Sequence, residues 1–345
     1  MPTVTPERLK EAIIAVLTGA GASVEEAPLV AESLVRAEMR GTDTHGLPYL
    51  KLLVERVEAK MVVVPTRVTV VKDEGTTALL DGGNGIGQVA GWKAMEASLR
   101  KAREFGTGLT LIRNTNNLGF FAFYTLHAAQ QGYVGIAMGN ANAAISPWGG
   151  AEAFFGTNPI SIAVPGGDDS LALDMSSSVV ARGKIRRAHR QGEKIPLGWG
   201  LDESGMPTDD PGAALKGTLL PIGGPKGYGL AFMVDVLAGM LSGAAFGRDV
   251  QSFHQLMGPT GVGALLLAID IERFMPLGQF RALMTGYVES IRGSRMAKGT
   301  ARIYLPGEIE AEKEQTSRAR GIELKAASIE MVNQLLEKLQ STVRL

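Results

Sequence analysis

The chain has 345 residues, 45% of them hydrophobic and 20% charged, and its 35 basic residues balance its 35 acidic ones. That composition fits a globular protein of two domains, or of one with a long extension, and a net charge of zero gives no general attraction to nucleic acid or an anionic membrane. The lack of cysteine removes disulfides, thiolate nucleophiles and cysteine-ligated zinc and suits the cytoplasm, while the longest apolar run, Gly263 to Ile271, is too short to span a bilayer.

Thr5 and Pro6 open a predicted helix whose stripe is Leu9, Ile13 and Val16. Ser23 and Glu26 have the spacing of a capping box for a second helix, and Leu50, Leu53, Val54 and Val57 mark a third that ends before Pro65, so the first 60 or so residues read as helical. Strand and helix then alternate: strands over Val68–Lys72, Thr77–Leu80, Leu109–Ile112 and Val134–Met138, with helices over Val89–Phe105 and Phe120–Gln131. Gly139 to Pro159 has no periodicity and reads as a long functional loop. Ile160–Val164 and Leu171–Met175 read as paired strands around a Gly166-Gly167-Asp168-Asp169 turn. Beyond a basic helix and a polar loop from Gly192 to Pro211, a glycine-rich loop, Gly223 to Gly229, runs into a helix over Leu230–Leu241. A strand at Ala264–Ile269, a helix at Leu277–Ile291, a strand at Arg302–Leu305 and a charged helical tail complete the reading.

Two stretches have the chemistry of anion sites. In Leu171 to Ile185, a strand ends at Asp174, Ser176 to Ser178 offer cap hydroxyls, and Arg182 and Lys184 begin a basic helix; a capped helix with a solvated basic face explains the same residues. Gly223 to Gly229 places Lys226 among four glycines at a helix start, a cradle for phosphate or a plain turn. Gly85-Ile-Gly87-Gln-Val-Ala90 resembles a dinucleotide fingerprint, but the next strand ends at Arg113-Asn114 with no acid to hold a ribose, and a structural turn is the default. Of the four histidines, His45 alone sits in a polar loop between helices, and no metal spacing surrounds it, so a carbonyl would be polarised by a proton donor.

Taken in order, Thr44-His45-Gly46, Arg113 to Asn116, Pro147 to Gly150, Gly156 to Pro159, Leu173 to Met175, Ala181 to Lys184, Pro207 to Pro211, Gly223 to Leu230 and Leu305 to Glu308 resemble the malate/L-lactate dehydrogenase family over nearly the whole chain. That family also holds sulfolactate and ureidoglycolate dehydrogenases, diketogulonate reductase and cyclic-imine reductases. The resemblance implies an α/β fold in two domains. One is a mixed-sheet, non-Rossmann NAD(P)-binding domain over residues 66–305, and the other a helical domain made of residues 1–65 with 306–345. It further implies NAD or NADP as cofactor, a small-molecule substrate and a homodimer. His45 is the implied acid/base, and Asp174, a strand-end carboxylate, is expected to orient or charge-stabilise its imidazole. Thr157, Asn158, Asp174, Met175, Ser176, Ser178, Arg182, Lys226, Gly227, Gly307 and Glu308 are the implied cofactor contacts. Thr44, Tyr49, Asn117 and Asn140 are expected near the substrate.

Two positions depart from the family pattern: Tyr49 stands where an arginine is usual, and Asn117 where a histidine is usual. Both weaken any particular substrate assignment. The expected reaction is hydride transfer at C2 of a small 2-hydroxy or 2-oxo acid. Reduction of a cyclic imine is the neighbouring alternative, and a catalytically silent dinucleotide-binding protein is the alternative of another class.

Overall fold

The computed structural model describes residues 2–167 and 169–345, so Asp168 of the expected Gly166 to Asp169 turn lies outside the described residues. A two-residue strand, β1 (Thr3–Val4), precedes α1 (Pro6–Gly19). The Thr5 hydroxyl accepts from Arg8 N at 3.2 Å and Pro6 fills the first turn, where no amide hydrogen is required. At α2 (Glu26–Met39) the box is reciprocal: Glu26 N donates to Ser23 Oγ (3.2 Å) and Ser23 N to Glu26 Oε2 (3.0 Å). The other Glu26 oxygen accepts from Thr66 N, tying this helix to the segment entering the sheet. A 3-10 turn, Asp43–His45, leads into α3 (Leu47–Glu58).

The central sheet is built from β2 (Thr69–Glu74), β3 (Thr77–Asp81), β4 (Thr107–Thr115), β5 (Tyr133–Gly139), β6 (Ile160–Val164), β7 (Leu171–Met175) and a later strand described below, with α4 (Gly87–Phe105) and α5 (Ala122–Gln130) as crossovers. After β7 come α6 (Arg182–Gln191), β8 (Gly200–Leu201), α7 (Pro211–Lys216), β9 (Thr218–Leu219), α8 (Pro225–Val234) and a π-helical turn, Asp235–Met240. The chain then re-enters the sheet as β10 (Val262–Asp270) and finishes with α9 (Leu277–Arg292), α10 (Glu308–Arg320), β11 (Ile322–Glu323) and α11 (Ala326–Lys338).

Strand order is β2-β3-β4-β10-β5-β6-β7, with β3–β4 parallel and the other neighbours antiparallel. Because β10 runs against both β4 and β5, those two strands are parallel to each other. Because β6 runs against both β5 and β7, β7 shares their direction. The carboxyl ends of β4, β5 and β7 therefore open on one edge, beside the starts of β6 and β10. An edge of that kind is where open α/β sheets hold ligands.

Three cores form. One packs α4 and α5 on the sheet through Met95, Phe121, Tyr124, Ile112 and Leu266. A second gathers Leu9, Ile13, Leu34, Leu50 and Leu53 from the first helices with Ile322, Val332 and Leu336 from the last, each such side chain stabilising by about 1.5–3 kcal/mol. β1 and β11 close this layer, Thr3 opposite Glu323, a strand pair inside segments expected to be helical. The third core, Ile145, Val180, Ile185, Ala214 and Leu219 among others, makes a small lobe that no periodicity announces.

Three expectations need correction. Arg302–Leu305 is not a strand: Arg302 stacks over Tyr304 at 4.4 Å and pairs with Glu308 and Glu312, and Pro306 O alone reaches β7, accepting from Ala172 N. Ser176 to Ser178 do not cap α6, whose N-cap is Ala181, because Ser177 Oγ donates to Asn158 O (2.7 Å) and Ser178 Oγ to Val180 O (2.8 Å). The glycine loop is shorter than expected, since α8 begins at Pro225, a residue suited to a first helical position, and takes in Lys226 to Gly229.

Candidate active site

His45 stands in the tight turn between α2 and α3, and the turn is made by a carboxylate from outside it. Glu38, near the end of α2, accepts from Leu47 N at 2.7 Å and so serves the start of α3 in place of a capping hydroxyl. Glycine at position 46 leaves that carboxylate its place, since a Cβ there would displace it. Thr44 Oγ1 lies 3.1 Å from His45 Nδ1 and sets the ring's orientation.

The His45 ring opens on a cleft at the ligand edge of the sheet. Asn117 and Phe121 line it from the β4–α5 connection, Asn140 and Ala141 from the end of β5, Thr157 and Pro159 from the start of β6, and Gln251, Phe253, Thr260 and Val262 from the approach to β10. His45, Asn117, Asn140 and Thr157 are thus brought together as expected residues. The 251–262 wall has no sequence motif and was not foreseen.

Two of the polar residues in the cleft are already committed. Asn140 Nδ2 donates to Ala245 O (2.7 Å) and Asp235 Oδ1 (3.2 Å), and its Oδ1 accepts from Gly263 N (2.9 Å), so its amide braces the π-helical turn against β10. Burial raises the pKa of Asp235. Asn117 Oδ1 accepts from Gly119 N (2.8 Å), closing its own turn. Tyr49 lies behind the wall: its hydroxyl is 2.9 Å from Asn117 O and 3.2 Å from Gln88 Oε1, and burial raises its pKa far above the usual tyrosine value.

Asp174, expected beside the imidazole, is directed elsewhere. Its Oδ2 accepts from Ala122 N at 2.7 Å, at the start of α5, where the helix dipole favours a negative charge. Crowding by protein atoms raises its pKa to about 6, although the residue keeps surface open to solvent; hydrogen bonds from Ala122 and Phe121 and the charge of Arg40 oppose the shift. The hydrogen bonds it makes hold the sheet end against α5.

The two anion-friendly stretches do meet. Ile222 N donates to Ser177 O (2.9 Å), Val179 N to Leu220 O (2.9 Å), and Ser177 N to Thr157 O (2.7 Å), so Gly156 to Asn158, Ser176 to Ser178 and Pro221 to Gly227 form one surface that joins the His45 cleft at Thr157. The backbone cradle expected there is closed: the amides of Gly224, Lys226, Gly227 and Tyr228 already donate within the turn. The donors left are side chains, the exposed Lys226 ammonium and the half-buried Ser176 hydroxyl; Ser178 Oγ, 3.0 Å from the latter, is buried and already donates to Val180 O. That donor set fits a phosphate-bearing ligand.

Other expected contact residues also make bonds within the fold. Asn158 Nδ2 donates to Ala231 O (2.8 Å) and its Oδ1 accepts from Ala141 N (3.1 Å). Arg182 Nη2 donates to Leu215 O (2.6 Å), bracing α6 on α7. Met175 ends β7 opposite Ile160. Gly307, at φ +78°, turns the chain against Ala172, and Glu308 accepts from Leu305 N (2.8 Å) and pairs with Arg292 (2.6 Å), which keeps its pKa below the usual glutamate value. The fingerprint-like Gly85 to Ala90 is a packing turn, since side chains at Gly85 or Gly87 would run into Thr66 and the carbonyl of Asn117. Among the described residues, no group of three or more His, Cys, Asp or Glu could hold a metal ion, and no helix is long and apolar enough to cross a membrane.

The family model described as malate/L-lactate dehydrogenase matches residues 4–333. Malate dehydrogenase of Pyrococcus horikoshii is 35% identical over 344 residues, covering 97% of this chain and 95% of its own. Ureidoglycolate dehydrogenase (NAD(+)) of Escherichia coli K12 is 34% identical over 93% of this chain and 92% of its own, and (2R)-3-sulfolactate dehydrogenase (NADP(+)) of Chromohalobacter salexigens 37% over 76% and 79%. Among solved structures, sulfolactate dehydrogenase from Methanocaldococcus jannaschii superposes with a TM-score of 0.93 at 34% identity, covering 99% of this chain and 98% of that one. Delta1-piperideine-2-carboxylate reductase from Pseudomonas syringae superposes with a TM-score of 0.88 at 28% identity, covering 97% and 100%.

Proposed function

The chain belongs to the malate/L-lactate dehydrogenase family, and from that premise we propose that it is an oxidoreductase moving hydride between C2 of a small 2-hydroxy or 2-oxo acid and NAD or NADP. The observation that carries the reading is the convergence of His45, Asn117 and Thr157 on one cleft that runs into the Ser176–Ser178 and Pro221–Gly227 surface. When bound, the nicotinamide supplies or accepts the hydride at carbon. His45 handles the proton: in oxidation its imidazole takes the hydroxyl proton from the substrate oxygen as the carbonyl forms, and in reduction it returns it. Thr44 holds the ring by Nδ1. Lys226 and Ser176 bind the phosphate-bearing part, and Leu118, Phe121 and Phe253 limit water around the reacting carbon.

The test is a panel of 2-oxo acids and cyclic imino acids run with NADH and with NADPH, on the wild type and His45→Ala. Turnover of 2-oxo acids that falls by 10²–10⁴-fold in the variant, roughly what a general acid–base contributes, supports the reading. A variant that binds cofactor and keeps nearly full turnover refutes the role of His45. Turnover confined to cyclic imines favours the second reading, for which the resemblance to the piperideine-2-carboxylate reductase speaks. Quenching of NADH fluorescence with no turnover of any panel member favours a silent binding protein.

Residues 1–65 with 306–345, and residues 66–305, are the two domains of this reading, supported by the separate helical and sheet cores. The protein acts in the cytoplasm as a homodimer. Leu230, Phe232 and Met233 of α8 and Met240 and Leu241 of the next turn are exposed together, a patch of the sort a second copy covers. Sedimentation of the purified protein as a monomer at micromolar concentration would refute the dimer.

A further inference from the structure

Arg186 brings positive charge to His254, next to the Phe253 wall of the His45 cleft, and the two residues come from segments that no motif connects. The start of α6 is pressed against the histidine turn: a Cβ on Gly183 would come within 2.7 Å of Thr44 Cγ2. Nearly one helical turn on, about 4.5 Å along the axis, Arg186 Nη1 lies 3.5 Å from His254 Nε2. His254 directly follows Phe253, which lines the cleft together with Gln251.

The backbone that carries His254 is fixed from behind. Arg56, fully buried, donates to the carbonyl oxygens of Gln255 (2.7 Å) and Gly258 (2.6 Å) and lies 3.4 Å from that of Phe253. Arg56 is therefore spent on the loop, and Tyr49 contributes no charge, so α3 gives the cleft no cation. The cations at the rim come from α6. Partial burial lowers the pKa of His254 and the charges of Arg186 and Arg182 lower it further, so both guanidinium groups act on this ring. Among the described residues neither Arg182 nor Arg186 has a carboxylate within ion-pair distance; Arg182 bonds Leu215 O and Arg186 meets His254. The result is a cationic rim with no counter-ion among the described residues, on a pre-set loop, beside the proposed acid/base.

We propose that Arg186, with His254 beside it, is an anion subsite that takes the distal acidic group of the substrate, a carboxylate or a sulfonate carried beyond the reacting carbon. The inference rests on the hydride-transfer reading and deepens it. Position decides for the distal group: the C1 carboxylate must sit next to the carbon that faces His45, whereas Arg186 stands nearly a turn of helix further out. A planar guanidinium suits either oxyanion through paired hydrogen bonds.

The experiment compares oxaloacetate, 3-sulfopyruvate and pyruvate as substrates of the wild type, Arg186→Gln and His254→Gln. The wild type should prefer the two dianions by at least tenfold in kcat/KM. Arg186→Gln should raise KM for both dianions about tenfold with kcat within threefold, collapsing the preference; His254→Gln should move KM the same way by less. An equal loss on pyruvate, or a preference that survives Arg186→Gln, overturns the subsite. Binding separates this from the reaction itself: succinate and butyrate are titrated calorimetrically into the NADH-loaded protein, where no turnover is needed. Tighter succinate binding that Arg186→Gln abolishes, in a protein that turns over no 2-oxo acid, keeps the subsite and refutes the reaction. Equal binding of the two acids by the wild type, or a tenfold weaker NADH affinity in Arg186→Gln, overturns it.

Discussion

The rings of Tyr49 and Phe253 are stacked face to face, 4.8 Å between centroids and 2° from parallel. The tyrosine hydroxyl meanwhile reaches the carbonyl of Asn117. One buried side chain on α3 thus fixes two walls of the cleft, the 251–262 segment by its face and the 117–121 segment by its oxygen. Tyr49→Phe keeps the stack and orphans the carbonyl; it should cost about 1–2 kcal/mol in denaturant unfolding. Tyr49→Arg buries a second cation next to Arg56 and should cost more without improving the KM for any 2-oxo acid. A stable, better-binding arginine variant would show that this position faces substrate after all.

Arg56 is the other half of that support. Arg56→Met retains bulk but leaves several carbonyls of residues 252–258 without their donor, at about 1–3 kcal/mol for each buried group left unpaired. The expected signature is local as well as global: amide exchange across 250–260 should quicken more than in α4 or β10. Uniform acceleration across the chain would mean that the arginine serves general packing.

Glu314 of α10 accepts from Arg36 (3.1 Å), Arg40 (2.8 Å) and Arg318 (2.8 Å), pinning α10 to α2. Burial alone would raise its pKa, yet the arginine charges and hydrogen bonds outweigh that and keep it below the usual glutamate value. A depressed carboxylate stabilises above its unfolded pKa, and the contribution fades as pH falls through the folded one. Glu314→Gln should therefore lose about 3–5 kcal/mol at pH 7, and the gap to wild type should narrow below pH 4. A gap that is the same at pH 7 and pH 3.5 would contradict the ionic account.

For Asp174 the sign is opposite. Its folded pKa is raised from 3.8 to about 6, so the fold favours the protonated acid; that contribution is complete below 3.8 and is lost as pH rises through about 6. Relative to Asp174→Asn, which does not titrate, the wild type should gain stability as pH is lowered from 7 to 4. Denaturant midpoints measured at each pH unit would reveal it, and a constant difference would place the carboxylate in open water.

What the sequence disclosed followed from how local each signal was. The Ser23–Glu26 box and the Thr5–Pro6 start depend on residues within four positions, and both formed as read. His45 was legible because a polar turn between two apolar stripes leaves a side chain little choice but a surface or a cleft. The serines failed as caps because Ser177 bonds to Asn158, 19 residues away, a competition no window reveals. The cleft wall at 251–262 was silent for the same reason on a larger scale, since Arg56 recruits Gln255 from 199 residues along the chain. Asp174 was misdirected by chemistry alone: a strand-end carboxylate suits an imidazole, but the first amides of α5 were nearer.

The pairing of Thr3 with Glu323 also constrains the order in which the molecule can be made. A ribosome delivers the first three helices long before Ile322, Val332 and Leu336, which complete their hydrophobic core, so roughly 300 residues of chain must emerge while that layer is unfinished. The sheet, whose strands are all available once β10 has appeared, can close first. Nascent chains stalled after Asp270 should then protect the sheet from protease and leave α1 to α3 open to it, and the turn that carries His45 would be among the last parts of the protein to become fixed.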